Sequence, residues 1–403
     1  MNDKIRVLLV SDTYYPKFDG PVLVMTHYAK NFLDMPDIEA QIAAPRAPDP
    51  DNPKADYQDT QPFPVHRCKS WSAQEGYRMG LPNQDAGFKK WLKSEHFDLI
   101  HCHSPFTMCN FFGKYGKKHK IPTVFTFHTK FHEDFERLLG KGFRYRVMMR
   151  YIKNNINRMD YAAAVSNGSA NVLRNYGCRK EITVIRNGAD LTYPDNAPAL
   201  VAEINEKYNL KKDENIFISV GRIVSNKNLV LAFQALKVIA DRGHDFKFII
   251  IGDGPEETAL QALSKQFGLE DKIIWTGKIM DRQILAAHYL RADLLLLPSM
   301  FDTSSLVLLE AAALKLPTVM FENCIPAEVI TDQINGFLVR AQNENSNPAE
   351  DWADKVIWAI THKEELAQIK ENAQKQVYKS WASIASEVAD FYKKIVAKYK
   401  HKT

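Results

Sequence analysis

The 403-residue sequence predicts an α/β protein made of two doubly wound, Rossmann-like parallel-sheet domains facing one another across a cleft. Short runs rich in Val, Ile and Leu, without polar alternation, recur along the chain and end in polar or glycine-containing turns. That is the pattern of strands buried on both faces of a parallel sheet. Longer stretches of helical character separate them. The length also exceeds the roughly 250–300 residues at which a single core stops growing.

In the first half the strand candidates are IRVLLVSD, AQIAAP, FDLIHCH, PTVFTFH, YAAAVSN and ITVIRNG; in the second, IFISVGR, KFIIIGDG, IIWTG, ADLLLLPS and PTVMFE. Between the sets lies GADLTYPDNAPALVAEINEKYNLKKDEN, a polar, proline-containing segment expected to act as a linker. The expected domains are therefore residues 1–195 and 196–383. The C-terminal tail is helical in pattern almost throughout, with an interruption expected near Tyr378–Trp381.

Composition narrows the function classes. No apolar run approaches the ~18 residues of a membrane span, and the first residues lack a leader-peptide layout, so a cytoplasmic protein is expected. Five scattered cysteines (Cys68, Cys102, Cys109, Cys178 and Cys324) form no CxxC pair and read as reduced thiols. The net charge of +5 is unevenly placed. Residues 1–190 hold 28 Lys+Arg against 20 Asp+Glu, and residues 191–403 hold 25 against 28. The excess lies in GKYGKKHK (113–120) and GKGFRYRVMMRYIKNNINR (140–158). Such a half can face anionic lipid or a phosphorylated acceptor. Bases and aromatics do not interleave as in a nucleic-acid platform, so no nucleic-acid partner is expected.

Ligands of doubly wound sheets bind beyond the carboxyl ends of the strands. After ADLLLLPS comes FDTSSLVLLEAAAL (301–314), where Thr303–Ser305 are expected to supply a helix cap and first turn. The N–H groups of Ser304, Ser305 and Leu306 would then suit a diphosphate. Glu310, further along the helix, could accept from a ribose diol, and Asp302 from hydroxyls of a sugar. Alternatively Asp302 is the helix cap and Glu310 a satisfied helix carboxylate. Arg222 and Lys227 of GRIVSNKN follow another strand, where a guanidinium fork and an ammonium can share one diphosphate. His128 comes straight off PTVFTF and could bind a sugar hydroxyl; His132, Glu133 and Asp134 follow it. A nucleotide-sugar fits this set. His101 and His103 share one strand face, but without a third ligand they are not read as a metal site. Gly254 of IGDGPE and Gly20 of FDG mark tight turns, and Gly20 could present N–H groups of its loop to phosphate.

DTYYPKFDGP, TFHT, IRNGAD, GRIVSNKN, IGDGPE, PSMFDTSSLVLLEAAA and EVITDQINGFLV together resemble the GT-B retaining glycosyltransferases of the E-x7-E group. TFHTKFHEDF is most similar to bacterial diacylglycerol glucosyltransferases. The resemblance implies metal-independent transfer of a hexose from a nucleotide-sugar, UDP-sugar favoured, to an acceptor sugar or lipid, with no cofactor beyond that co-substrate. It places Glu310 on the ribose, Asp302 on the transferred sugar, Arg222 and Lys227 on the diphosphate, His128 near the reaction centre, and the backbone of Gly277, Lys278 and Ile279 around the base. It also implies that the helix 384–403 braces the first domain. Three features depart from the pattern: Asp302 replaces a Glu, TSSL replaces GFGL, and Pro21 removes a donor beside Gly20.

Two other readings remain at this level: a nucleotide-sugar-binding protein without transfer activity, and a GT-B sugar-nucleotide epimerase. The acceptor side rests on Phe143, Val147, Met148, Tyr151, Ile152 and Ile156, which align on one helix face, with Arg144, Arg146, Arg150 and Lys153 elsewhere around it. That helix either lies on an anionic membrane, making the protein peripheral on its inner face, or packs on the sheet.

Overall fold

The computed structural model describes residues 4–17, 19–73, 77–340 and 347–401, and divides into two compact units, Met1–Asn187 with Trp381–Thr403, and Gly188–Ser380.

The first unit runs β1 (Ile5–Val10), α1 (Gly20–Phe32), β2 (Ile38–Pro45), β3 (Val65–Cys68), β4 (Ser70–Ser72), β5 (Arg78–Gly80), α2 (Ala86–Ser94) and β6 (Leu99–Cys102). It continues with α3 (Thr107–His119), β7 (Thr123–Phe127), α4 (Phe131–Leu139), α5 (Phe143–Arg158), β8 (Tyr161–Ala164), α6 (Asn167–Asn175) and β9 (Ile182–Val184). Seven strands form a sheet in the order β3-β2-β1-β6-β7-β8-β9, every neighbouring pair parallel. The order reverses between β1 and β6, which opens a crevice at their carboxyl ends. The buried Asp12 carboxylate sits there, accepting from the Ser104 hydroxyl at 2.9 Å, the Thr107 hydroxyl at 2.6 Å and the Met108 N–H at 3.1 Å. It thus ties the end of β1 to the start of α3.

The second unit holds α7 (Ala197–Lys207), β10 (Ile216–Val220), α8 (Leu229–Asp241), β11 (Lys247–Ile251), α9 (Glu257–Gln266), β12 (Ile273–Gly277) and α10 (Arg282–Arg291). It ends with β13 (Leu294–Leu297), α11 (Leu306–Ala313), β14 (Thr318–Phe321), β15 (Phe337–Val339), α12 (Pro348–Thr361) and α13 (Lys363–Val377). Its six-stranded parallel sheet has the order β12-β11-β10-β13-β14-β15, with the reversal between β10 and β13. Successive strand residues enter opposite cores. Phe217, Phe248, Ile250, Leu294 and Leu296 pack on one side, and Ile216, Ile218, Ile249, Ile251 and Leu295 on the other. Double coverage is why these strands read as unbroken apolar runs.

The division after Asn187 falls earlier than the expected 195. Ala189 bridges to Ser380 and packs in the second unit's core, and Leu191 joins the other core of that unit. The expected linker also contains α7, which Pro198 opens and whose Ile204 is buried. A first-turn proline has a missing N–H that the helix does not need.

The last helix, α14, spans Trp381–Lys400 and belongs to the first unit. Trp381 stacks on His27 with ring centroids 4.6 Å apart, and Lys393 pairs with Asp37 at 2.6 Å. The buried Tyr392 hydroxyl meets His101 Nδ1 at 2.5 Å, while the Thr126 hydroxyl meets its Nε2 at 2.6 Å. His103 Nδ1 lies 2.9 Å from His128 Nε2.

Burial lowers His101 and His128 to about 3 and takes His103 well below its usual value, so the trio is neutral in the folded chain. Below the ordinary histidine value of about 6.5 the unfolded chain binds protons that the folded one refuses. The stability these groups contribute is therefore complete above that pH and is lost progressively as the pH falls below it. Urea unfolding should show a clearly lower midpoint at pH 5 than at pH 7, an interval in which ordinary carboxylates hardly titrate; equal midpoints would contradict this burial.

Candidate functional site

In the second unit the reversal point lies between the exits of β10 and β13. Gly221 and Arg222 follow β10, and the 298–305 loop follows β13. The β10 exit is held by the chain beyond β11: the Gly221 N–H donates to the Ile251 carbonyl at 2.9 Å, and the Ile223 N–H to the Asp253 carbonyl at 2.7 Å. Gly252, at φ 144°, lies so close that a Cβ there would stand 1.9 Å from the Gly221 carbonyl oxygen; one at Gly254 would stand 2.1 Å from that of Ile223. Gly254 therefore lets two strand exits pack and fixes the loop carrying Arg222. The Arg222 guanidinium is exposed, and among the described residues it makes no ion pair or hydrogen bond.

Lys227 differs. Its ammonium donates to both oxygens of Asp302, at 2.8 and 2.9 Å, and both side chains are about three-quarters buried. Asp302 is thus not the helix cap. Ser305 is, its hydroxyl accepting from the Leu308 N–H at 3.4 Å, so α11 begins at Leu306 rather than within 303–305. Ser304 and Ser305 precede the helix, and the first-turn N–H groups without an acceptor among the described residues are those of Leu306 and Val307. Val307 carries no sequence signal, because which N–H is left over depends on where the cap falls.

Glu310 lies in the second turn of α11. Its Oε1 accepts from both terminal nitrogens of Arg282, each at 3.0 Å, and its Oε2 from the Tyr289 hydroxyl at 3.3 Å. Burial pushes its pKa up, and the Arg282 charge works against that rise. Arg282 also donates to Asp190 at 2.6 Å, so the NGAD segment and α10 hold the carboxylate together. Sequence reasoning missed Arg282 and Tyr289. Their one local signal is Asp281, which caps α10 by accepting from the Gln283 and Ile284 N–H groups and so sets the helix phase.

Gly277 ends β12 at φ 68° with open space where a side chain would stand, and its carbonyl accepts from the Gly252 N–H at 2.9 Å. Lys278 is exposed, and Ile279 packs partly buried beside the Ile218 core.

In the first unit His128 follows β7 and is buried against His103, their rings 5.1 Å apart and stacked. Gly20 opens α1. Pro21 has no N–H, and those of Val22 and Leu23 are taken by the Asp19 side chain and carbonyl, so Gly20 can offer only its own. Phe18 and the side chains of Glu133 and Asp134 lie outside the described residues. Beside the β1 exit is a hollow of about 110 Å³ lined by Thr13, Tyr14, Lys17, Tyr77 and Arg78 among others. Among the described residues no group of three His, Cys, Asp or Glu side chains is placed to hold a metal ion.

Residues 22–193 match the family model described as Glycosyltransferase Family 4, and residues 201–376 the one described as Glycosyl transferases group 1. The chain is 26% identical over 266 residues to the alpha-monoglucosyldiacylglycerol synthase of Streptococcus pneumoniae, a stretch covering 64% of this chain and 60% of that protein. It is 24% identical over 370 residues to the Acholeplasma laidlawii enzyme of the same name, covering 84% and 86%. HepE of Anabaena, solved in complex with UDP-glucose, superposes with a TM-score of 0.73 at 18% identity over 97% of this chain and 100% of that one. Sucrose-phosphate synthase of Thermosynechococcus elongatus gives 0.75 at 18% identity over 98% and 100%. At such identity these structures speak for the fold alone, the two Rossmann-like domains of the GT-B class. With one glycosyltransferase model matched by each half, the chain belongs to the glycosyltransferases, a family 4 domain followed by a group 1 domain.

Proposed function

We propose that the protein is a retaining hexosyltransferase that moves a hexose, glucose foremost, from a UDP-sugar to a hydroxyl of a membrane glycolipid. The observation that carries the donor half is the start of α11 at the β10/β13 reversal. Two N–H groups without acceptors and the positive end of the helix dipole stand with Arg222 and Lys227 near one strand edge. Glu310, oriented by Arg282 and Tyr289, keeps lone pairs for the ribose diol. Asp302 takes sugar hydroxyls, and Gly277, Lys278 and Ile279 border the base.

In this reading the bond from the anomeric carbon to the phosphate oxygen breaks, and the acceptor oxygen forms the new bond on the same face. The acceptor proton passes to the departing diphosphate. The protein contributes positioning and charge stabilisation, for which Arg222, Lys227 and the helix terminus suffice without a metal. His128, neutral through burial, is suited to hydrogen bonding with a sugar hydroxyl rather than to carrying charge. The lipid acceptor is supported by the names of the S. pneumoniae and A. laidlawii relatives.

The acceptor half has its own support in α5. Of the two expectations for that helix, packing on the sheet holds over its C-terminal half, and the exposed remainder supports the membrane reading. Ile152 and Ile156 are buried against the sheet, whereas Phe143 is 75% exposed and Val147 51% exposed, beside the exposed Arg144, Arg146 and Arg150. An apolar tip ringed by guanidinium groups suits a peripheral contact with anionic lipid. No helix among the described residues is long and apolar enough to cross a membrane.

Arg222→Ala should leave the unfolding midpoint unchanged, since the side chain is exposed and unpaired, yet weaken UDP binding by about 10- to 100-fold in calorimetry, the loss of a hydrogen-bonded charge on phosphate. Unchanged affinity would remove Arg222 from the donor site. Sedimentation with phosphatidylglycerol vesicles should be strong at low ionic strength and weak at high, with Phe143→Asp reducing it about tenfold or more. A chain that never sediments with them would contradict a membrane acceptor.

A further inference from the structure

Resting on that donor reading, we propose that Asp302 is a specificity-determining residue that makes diphosphate binding depend on the sugar attached to it. Lys227 is held by both Asp302 oxygens, at 2.8 and 2.9 Å, and the pair is largely shielded from water. A diphosphate that draws Lys227 toward itself competes with Asp302 for one ammonium. When Lys227 turns to phosphate, a largely buried carboxylate is left without its counter-charge, which is costly unless other donors replace it.

A hexose supplies those donors. Hydroxyls beside Asp302 can donate to its two oxygens as the ammonium leaves, so the intact donor compensates for the exchange. The nucleoside diphosphate product brings phosphate but no hydroxyls to that position. It must then either forgo Lys227 or strand Asp302, and in both cases it binds less tightly. The consequence is discrimination in favour of substrate over product, which eases product release.

Two features of this chain make the competition local. Arg222 has no carboxylate partner among the described residues, so it is available to any diphosphate, with or without a sugar. Lys227 ends a single-turn segment after β10, and the next residue, Asn228, has φ 53°, which fixes the backbone beneath its side chain. The exchange therefore falls to the side chain alone. Glu310 cannot substitute for Asp302, because Arg282 and Tyr289 already hold it.

The test is calorimetry of UDP and UDP-glucose on the full chain and on Asp302→Asn, Lys227→Met and the double variant. Asp302→Asn should bind UDP about fivefold tighter than the parent, the fold-change of a partly shielded ion pair no longer in competition. It should also lose most of the parent's preference for UDP-glucose over UDP. In the Lys227→Met background the same substitution should give no gain for UDP. If Asp302→Asn binds UDP no tighter than the parent, or if its gain persists without Lys227, the proposal is overturned while the donor site stands. If the parent binds neither UDP nor UDP-glucose, the donor reading itself fails.

Discussion

A parallel sheet covered by helices on both faces leaves polar chemistry only one kind of place, the ends of its strands. The apolar side chains of β10, β11 and β13 enter one core or the other. Groups that must meet solvent or ligand are displaced to the exits, and where the strand order reverses two exits part to leave room between them. Arg222, Lys227 and Asp302, and in the first unit Asp12, His103 and His128, all stand at such exits. The site is in this sense a by-product of double coverage.

Charges placed at those exits are compensated before any ligand is considered. Asp12 is burdened by burial, which raises its pKa, and four hydrogen-bond donors work against that rise. Glu310 is pushed up by burial and held by Arg282 and Tyr289. Lys227 and Asp302 neutralise one another. Arg222 differs from these, an exposed guanidinium without a partner among the described residues. The distribution separates groups that are fixed and ready, such as Glu310, from those that must change partner to act, such as Lys227.

Much of this was legible in the sequence. The eleven apolar runs are the strands because burial on both faces erases the polar alternation that would otherwise confuse the reading. The four strands that went unread are short or marginal: β3 is only partly buried over three of its four residues, and β4, β5 and β15 have three residues each. The α7 helix was hidden by its own Pro198, which reads as a breaker in a polar stretch but starts a helix when it occupies the first turn. At the site, single-segment features such as Glu310, Asp302 and Arg222 could be picked out from strand-end position. Pairings across long sequence separations could not. Nothing in the spacing says that Lys227 meets Asp302, or that Arg282 spans Glu310 and Asp190, because those contacts depend on side-chain reach across neighbouring exits.

The central claim is that the first turn of α11 receives the donor's diphosphate, and amide hydrogen exchange reads it directly at Leu306 and Val307. UDP should slow exchange at these two amides, whereas uridine, which lacks the phosphates, should leave them unchanged. Equal effects of UDP and uridine there, or protection by UDP that spares this turn while appearing elsewhere, would contradict the account.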